Sequence, residues 1–298
     1  MSAARAGGVY LLGAGTVGQA LGRSLRAAGV RVVGLWGRRR AAAARAARFV
    51  GTAAAWGEPP EAMRGAAVVI VAVSDRAIAE VAARAGAARR WRAGQVVLHC
   101  SGGLPAAVLR PAVPRGAAVG SMHPLQTFPS AAVGARLVRG SAFALEGDER
   151  ARRAAAALVR RLGGWSFTVA PRSKALYHAA AATASNHLVA LAADAAALAV
   201  AAGLPRARAL RALLPLMHGV LRALEEQGLP GALTGPVARG DAAVVRAHLE
   251  AIARAAPERL ELYRAAARRA LQLARARGGA APEALGAIAR LLGKEGRR

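Results

Sequence analysis

Residues 13 to 18, GAGTVG, stand between a short apolar run, VYLL, and a stretch with helical spacing, QALGRSL. Gly13, Gly15 and Gly18 fall at the spacing GxGxxG, and each omits a side chain for its own reason. The first permits a tight turn, the second lets backbone approach a pyrophosphate, and the third brings helix and strand into close contact. With Ala14, Thr16 and Val17 between them, the turn offers the amide groups of a helix start to phosphate oxygens. A second strand, VRVVGLW, follows at the distance of a β-α-β unit. The chain is therefore expected to open with a dinucleotide-binding fold.

The strand pattern continues. AVVIVAV (67–73) and QVVLHC (95–100) are unbroken apolar runs, the mark of strands buried on both faces of a parallel sheet. They end in the turns Val73-Ser74-Asp75 and Ser101-Gly102-Gly103, at the carboxyl edge where such sheets bind ligands, so Val73, Ser74, Ser101 and Gly102 are expected beside the cofactor. SAFALEG and WSFTVA surround a helix starting near Asp148 and carry the sheet to about Val169. Beyond Pro171, alanine- and leucine-rich helices are expected over roughly 172–201, 206–227, 241–277 with a break at Pro257, and 282–293. The expected class is α/β: a Rossmann-type, mostly parallel sheet in residues 1–171, then an all-helical domain in 172–298.

The end of the second strand selects the cofactor. An NAD site places Asp or Glu about twenty residues beyond the glycines to hold the ribose hydroxyls. Here the sequence reads LWGRRR, and no acidic residue occurs before Glu58. Gly37, Arg38 and Arg39 stand where a 2′-phosphate is met, which favours NADP.

Composition bears on partners. A formal charge of +27 and a pI near 12.0 ordinarily point to nucleic acid or an anionic membrane. Arginine and alanine are spread evenly, however, aromatics make up only 4%, and no motif joins stacking to basic charge, so neither partner is expected. The single cysteine, Cys100, allows no internal disulfide, and no His/Cys cluster has metal-ligand spacing. No metal is expected, and a reducing, cytoplasmic location is. The N-terminus lacks a signal-peptide pattern. The run HLVALAADAAALAVAAGL contains Asp194, which is costly at a bilayer centre, and is expected as a buried helix of a soluble protein.

Of 43 Lys+Arg only two are lysine, Lys174 and Lys294, leaving 43 − 2 = 41 arginines. Lys294 sits in a charged tail; Lys174 heads KALYHAAAATASNH. At about 100° per residue, Lys174, His178, Ala181 and Ser185 share a helix face, with Asn186 roughly a third of a turn away. No acidic residue lies between Glu149 and Asp194, and Arg172 is close. An ammonium so placed has reason to release its proton more readily and suits donation to a developing alkoxide. Arginine does not serve, because it keeps its proton. The other reading of Lys174 is a surface lysine in a first helical turn. His123, followed by proline, is expected in a loop after a strand, as a catalytic acid, an anion ligand or a loop cap. In LTGPVARGD, Asp241 suits a helix N-cap and Arg239 a bidentate clamp on a carboxylate.

GAGTVG, LWGRR (35–39), VSD (73–75), HCSG (99–102), SMHPLQTF (121–128), KALYHAAAATASNHL (174–188) and LTGPVARGD (233–241) together resemble the bacterial family of Rossmann-like proteins with a DUF2520 domain. That family is related to the 6-phosphogluconate dehydrogenase-like superfamily, which includes ketopantoate reductase and pyrroline-5-carboxylate reductase. The resemblance spans nearly the whole chain. It implies an NADP-linked reductase whose C-terminal domain, of the 6-phosphogluconate dehydrogenase type, forms a homodimer. In the better-understood reductases a lysine acts as acid/base and an asparagine four residues later holds substrate. Lys174 matches the lysine, and His178 stands where the asparagine belongs, which leaves the substrate open. Some relatives are taken to reduce 2-dehydropantoate.

The expectation is thus an NADP-dependent oxidoreductase acting on a small anionic 2-oxo acid. Lys174, His178 and Asn186 are its catalytic candidates, and His123, Ser185 and Arg239 its substrate contacts. An imine reductase acting on a cyclic imino acid and a non-catalytic NADP sensor are the rivals.

Overall fold

The computed structural model describes residues 7–293; Lys294 and its charged tail lie outside them. Two compact units divide between Ser185 and Asn186, so the first unit keeps the helix that carries both Lys174 and His178.

Eight strands of the first unit form one sheet in the order β3-β2-β1-β4-β5-β6-β7-β8. They are β1 Val9–Leu12, β2 Val32–Gly37, β3 Ala54–Trp56, β4 Val68–Val71, β5 Val96–His99, β6 Ala118–Pro124, β7 Ala142–Gly147 and β8 Trp165–Thr168. All neighbours are parallel except β6 with β7. The first six strands follow the doubly wound order, which reverses between β1 and β4. Alternate side chains of one strand feed different cores. Val9, Leu11, Ile70 and Leu98 pack into one apolar cluster, while Tyr10, Leu12, Val69 and Val97 pack into the other. This two-sided burial is why the strands read as unbroken apolar runs. Helices α1 Thr16–Ala27, α2 Arg40–Val50, α3 Asp75–Ala87, α4 Ala131–Leu137 and α5 Glu149–Arg161 complete the layers.

Two strands differ from the sequence reading. β3 is only three residues long, and β6 (AVGSMHP) interrupts its apolar pattern with Gly, Ser and His. His123 therefore lies within β6, opposite Ala144 of β7, and not in a loop. The ladder with β7 continues through Pro124, which a search for apolar periodicity stops short of.

The lysine run is helix α6 Lys174–Ala182, a π-helical turn over Thr183–His187, and α7 Leu188–Ala201. By length and composition alone, Pro171–Ala201 is able to cross a membrane. The expectation of a buried helix is corrected here. No residue of α7 is buried, and Val189 is 69% exposed, because within its unit α7 packs chiefly along α8 Arg206–Gly231 and its remaining faces are uncovered. The second unit also holds α9 Pro236–Arg239, α10 Ala242–Ala255, α11 Leu260–Arg277 and α12 Pro282–Leu292. Its core gathers Val245, Leu249, Leu271, Ile288 and Leu292. The expected break at Pro257 is a single 3-10 turn.

Candidate active site

The reversal of strand order leaves a crevice between the ends of β1 and β4, and there a cavity of about 530 Å³ opens. Gly13, Ala14 and Gly15 line it after β1, Gly37 at the end of β2 with Arg38 and Arg39 beyond it, and Val73 and Ser74 after β4. The three glycines play distinct parts. At Gly13, with φ +141°, a Cβ meets Ala72 O at 2.2 Å, and at Gly18 it meets Gly13 O at 2.3 Å. Those two glycines are demanded by the fold. A Cβ on Gly15 meets nothing within 4 Å: it faces open space above the start of α1, whose amides have no side-chain cap. A pyrophosphate fits there, with Thr16 and Val17 beginning the helix. Of the basic groups nearby, Arg40 stacks over Trp56 at 5.0 Å and Arg84 pairs with Glu58 at 2.6 Å. Arg38 and Arg39 are exposed at the cavity.

Lys174 is the centre of a second cluster. Only 1% exposed, it donates through Nζ to Ser121 Oγ (2.7 Å) and to Ser101 O (3.2 Å). An ammonium carries three hydrogens, so one remains for a ligand. Ser101 is locked on every side. Its N–H donates to His99 Nδ1 (3.1 Å), its hydroxyl donates to Asp75 Oδ2 (2.7 Å), and its Oγ accepts from the N–H of Gly103 (3.2 Å) and Leu104 (3.0 Å). Ser121 stands opposite Glu146 in the β6–β7 register, and the buried Glu146 accepts from Ala106 N–H at 2.6 Å. His123 Nδ1 is 2.7 Å from Tyr177 Oη, and the His123 and His178 rings meet edge to face, centroids 5.8 Å apart.

Burial governs the electrostatics of this cluster. It lowers the Lys174 pKa below the ordinary lysine value, against the opposing pull of Glu146 and Asp75. The sequence reading reached the same direction through the missing acids and Arg172; the physical cause is desolvation of the ammonium. Burial also pushes His99 down to about 4, helped by Lys174 and opposed by the Pro105 carbonyl and Asp75. His123 falls to about 4 through burial, with His178 and Lys174 adding to the effect. Tyr177 is raised to about 12 by its partial burial. Near neutral pH, His99 and His123 are therefore neutral imidazoles beside a lysine.

The expected residues fall into three places. Gly13, Ala14, Gly15, Gly37, Arg38, Arg39, Val73 and Ser74 line the cavity and Thr16, Val17 and Gly18 begin α1, whereas Ser101 and Gly102 belong to the Lys174 cluster with His123 and His178. Ser185, in the π-helical turn, donates back to Ala181 O of α6 at 2.8 Å. Asn186 and Arg239 belong to the second unit. There Asp241 accepts from Val244 N–H at 3.1 Å and caps α10, as its N-cap reading has it. Sequence reasoning passed over His99, Ser121, Glu146 and Tyr177 in the cluster, and Arg76 and Glu80 in the cavity lining. His99 and Ser121 lie inside strands, and only strand register brings them to Lys174. Arg76 carried a usable signal, since it directly follows the Ser74-Asp75 turn.

Comparison with known proteins agrees with this architecture. A family model for a Rossmann-like domain matches residues 2–124, and one for DUF2520, a domain of unknown function, matches residues 141–270. Among solved structures, a protein of Thermotoga maritima is 26% identical with a TM-score of 0.71, over 90% of this chain and 99% of that one. A Bacteroides fragilis protein described as a candidate NADP oxidoreductase is 24% identical with a TM-score of 0.69, over 88% and 96%. Pyrroline carboxylate reductase of Plasmodium falciparum, solved with NADP bound, is 12% identical with a TM-score of 0.59, over 95% and 98%. The last two are likenesses of fold. No curated protein matches the chain. The Rossmann-like match thus spans β1 to β6, the DUF2520 match takes in β7, β8 and the helices as far as residue 270, and the chain is similar to proteins that join these two domains.

Proposed function

We propose that the protein is an NADP-dependent oxidoreductase that reduces the carbonyl group of a small 2-oxo acid, with 2-dehydropantoate the first substrate to try. One observation carries this reading: a buried lysine, its proton loosened by desolvation, has one hydrogen left to give beside the carboxyl edge of a dinucleotide-type sheet. A nicotinamide cofactor held along the glycine turn and Arg38 and Arg39 would supply the hydride that the carbonyl carbon accepts. Lys174 polarises the carbonyl oxygen, gives the developing alkoxide a proton and regains one from water. Ser101 and Ser121 hold the lysine's other two hydrogens and so aim the third. Arg38 and Arg39, with no acid on β2, support NADP over NAD.

A protonated imine is a poorer fit than a ketone. Lys174 Nζ has a hydrogen left to donate, which a carbonyl oxygen accepts and the nitrogen of a protonated imine, having no lone pair, does not. The reading extends to a homodimer built through the helical unit and to a cytoplasmic setting in which Cys100 stays a thiol. Support for the dimer comes from large apolar side chains left exposed on α7 and α8, among them Leu188, Val189, Leu191, Leu210, Leu216 and Val220. Asp194, midway along α7, pairs with Arg259 at 3.8 Å, which suits a protein neighbour better than lipid.

The test is NADPH oxidation with 2-dehydropantoate, beside NADH and beside Lys174→Ala. The expected result is turnover that prefers NADPH and drops by about two orders of magnitude or more in the variant, with NADPH binding retained. Near-normal turnover in Lys174→Ala removes the lysine from the mechanism. Tight NADPH binding without turnover removes this substrate.

A further inference from the structure

A polar row crosses the sheet beneath Lys174. His99 of β5 stands beside Ser121 of β6, and Ser121 beside Glu146 of β7. Partners in register point to the same face of a sheet, about 5 Å apart. All three are buried, with 0%, 1% and 4% exposure, and the next row on this face, Val97 and Val119, is apolar. Lys174 Nζ rests on the middle member, Ser121 Oγ, at 2.7 Å.

Glu146 is the one acid of the row. A carboxylate taken out of water needs a cation or several hydrogen bonds to offset its lost hydration, and Glu146 accepts the N–H of Ala106 at 2.6 Å. Every ion pair among the described residues joins an acid to an arginine, and none includes Glu146. Arg110 and Arg152 line a cavity of about 460 Å³ with Glu146, yet Arg110 turns to Asp148 at 2.6 Å and Arg152 forms no ion pair. The cation left to answer Glu146 is Lys174. Other groups facing the lysine do less for its charge. Asp75 is exposed, where water screens its field, and it is engaged by the Ser101 hydroxyl at 2.7 Å. His99 and His123 are neutral near pH 7 and repel the ammonium when protonated. On its own helix, Tyr177 keeps its proton, and His178 stands against His123 with centroids 5.8 Å apart.

We propose that Glu146 is the positioning residue that keeps Lys174 charged: its buried carboxylate, one strand away across Ser121, holds the proton on the ammonium until the carbonyl oxygen takes it. The inference rests on the reductase reading of Lys174 and adds a residue to it. Burial loosens the lysine's proton, but a proton donor must still carry one at the working pH. Glu146 touches no substrate and acts through the field at Nζ.

The chain has two lysines, Lys174 and Lys294, so full-length protein labelled with [ε-¹³C]lysine gives two NMR signals, and the one missing from Lys174→Met belongs to Lys174. Titration without substrate is expected to place the Lys174 midpoint at lower pH in Glu146→Gln than in the wild type. Glu149→Gln, which removes a surface acid that is 70% exposed, is expected to leave it in place. The alkaline decline of kcat moves to lower pH in Glu146→Gln as well. A Lys174 midpoint that is unchanged or raised in Glu146→Gln overturns the assignment. If Glu146→Gln does not fold, its combination with Lys174→Met decides: losing both charges together is expected to restore folding, because neither is then left buried alone, and a double variant that also fails to fold overturns the pairing. The two readings fail separately. A midpoint that falls in Glu146→Gln, in a protein whose turnover survives Lys174→Ala, sinks the reductase mechanism alone. A midpoint that stays in place, in an enzyme silenced by Lys174→Ala, sinks the role of Glu146 alone.

Discussion

A lysine side chain that is 1% exposed has given up nearly all of its hydration, and only hydrogen bonds compensate for that loss. Ser121 supplies the shorter of the two at 2.7 Å, and its oxygen favours the charged form. Removing it should lower the lysine's pKa further: in Ser121→Ala the alkaline decline of kcat is expected to begin at lower pH than in the wild type, which a pH–rate profile measures. His99 makes a separate prediction about stability. Its folded pKa, about 4, lies below the ordinary histidine value of 6.5, so the folded state binds fewer protons than the unfolded state between those values. Stability is then lost as pH falls from about 6.5 towards 4, by on the order of 3 kcal/mol for this residue, and His123 acts in the same direction. In His99→Asn the amide oxygen replaces Nδ1 as acceptor for Ser101 N–H and does not titrate. Denaturation curves across this range are expected to be flatter for the variant. Lys174 was legible in the sequence because its residue type is rare in this chain. Ser121 and His99 were not, since a serine or histidine inside an apolar strand shows nothing about which neighbour it faces until register is known.

At the scale of elements, the glycine turn separates demands of the fold from demands of the ligand. Gly15→Ala places its methyl in open space and should leave the melting temperature unchanged while NADPH binding falls; Gly18→Ala drives a methyl into Gly13 O and should lose both. Equal effects of the two substitutions on melting temperature would contradict this division. Strands β1, β2, β4 and β5 were readable because strands buried on both faces must be apolar throughout. β6 was harder to read because it ends in the polar residues of the site. The helical wheel drawn from Lys174 held as far as His178 and then lost its phase. The π-helical turn over Thr183–His187 takes more residues per turn than an α-helix, so Ser185 and Asn186 do not keep the angles that a regular helix assigns them.

For the molecule as a whole, the apolar sides of α7 and α8 stay exposed, and length and hydropathy alone did not distinguish a helix buried in its own chain from one with uncovered faces. The dimer reading predicts a solution mass of twice the 30.3 kDa chain by light scattering, and a shift to the single-chain mass in Leu216→Glu, whose native side chain is 67% exposed. A single-chain mass for the wild type would refute it. The division between Ser185 and Asn186 also has an optical side. All four tryptophans, Trp36, Trp56, Trp91 and Trp165, precede it, and Trp36 lines the cofactor cavity. Native emission therefore reports on the sheet unit alone, and energy transfer from Trp36 makes a bound reduced nicotinamide visible without a label. The helical unit stays dark, so that any engineered tryptophan placed in it would speak for that unit alone.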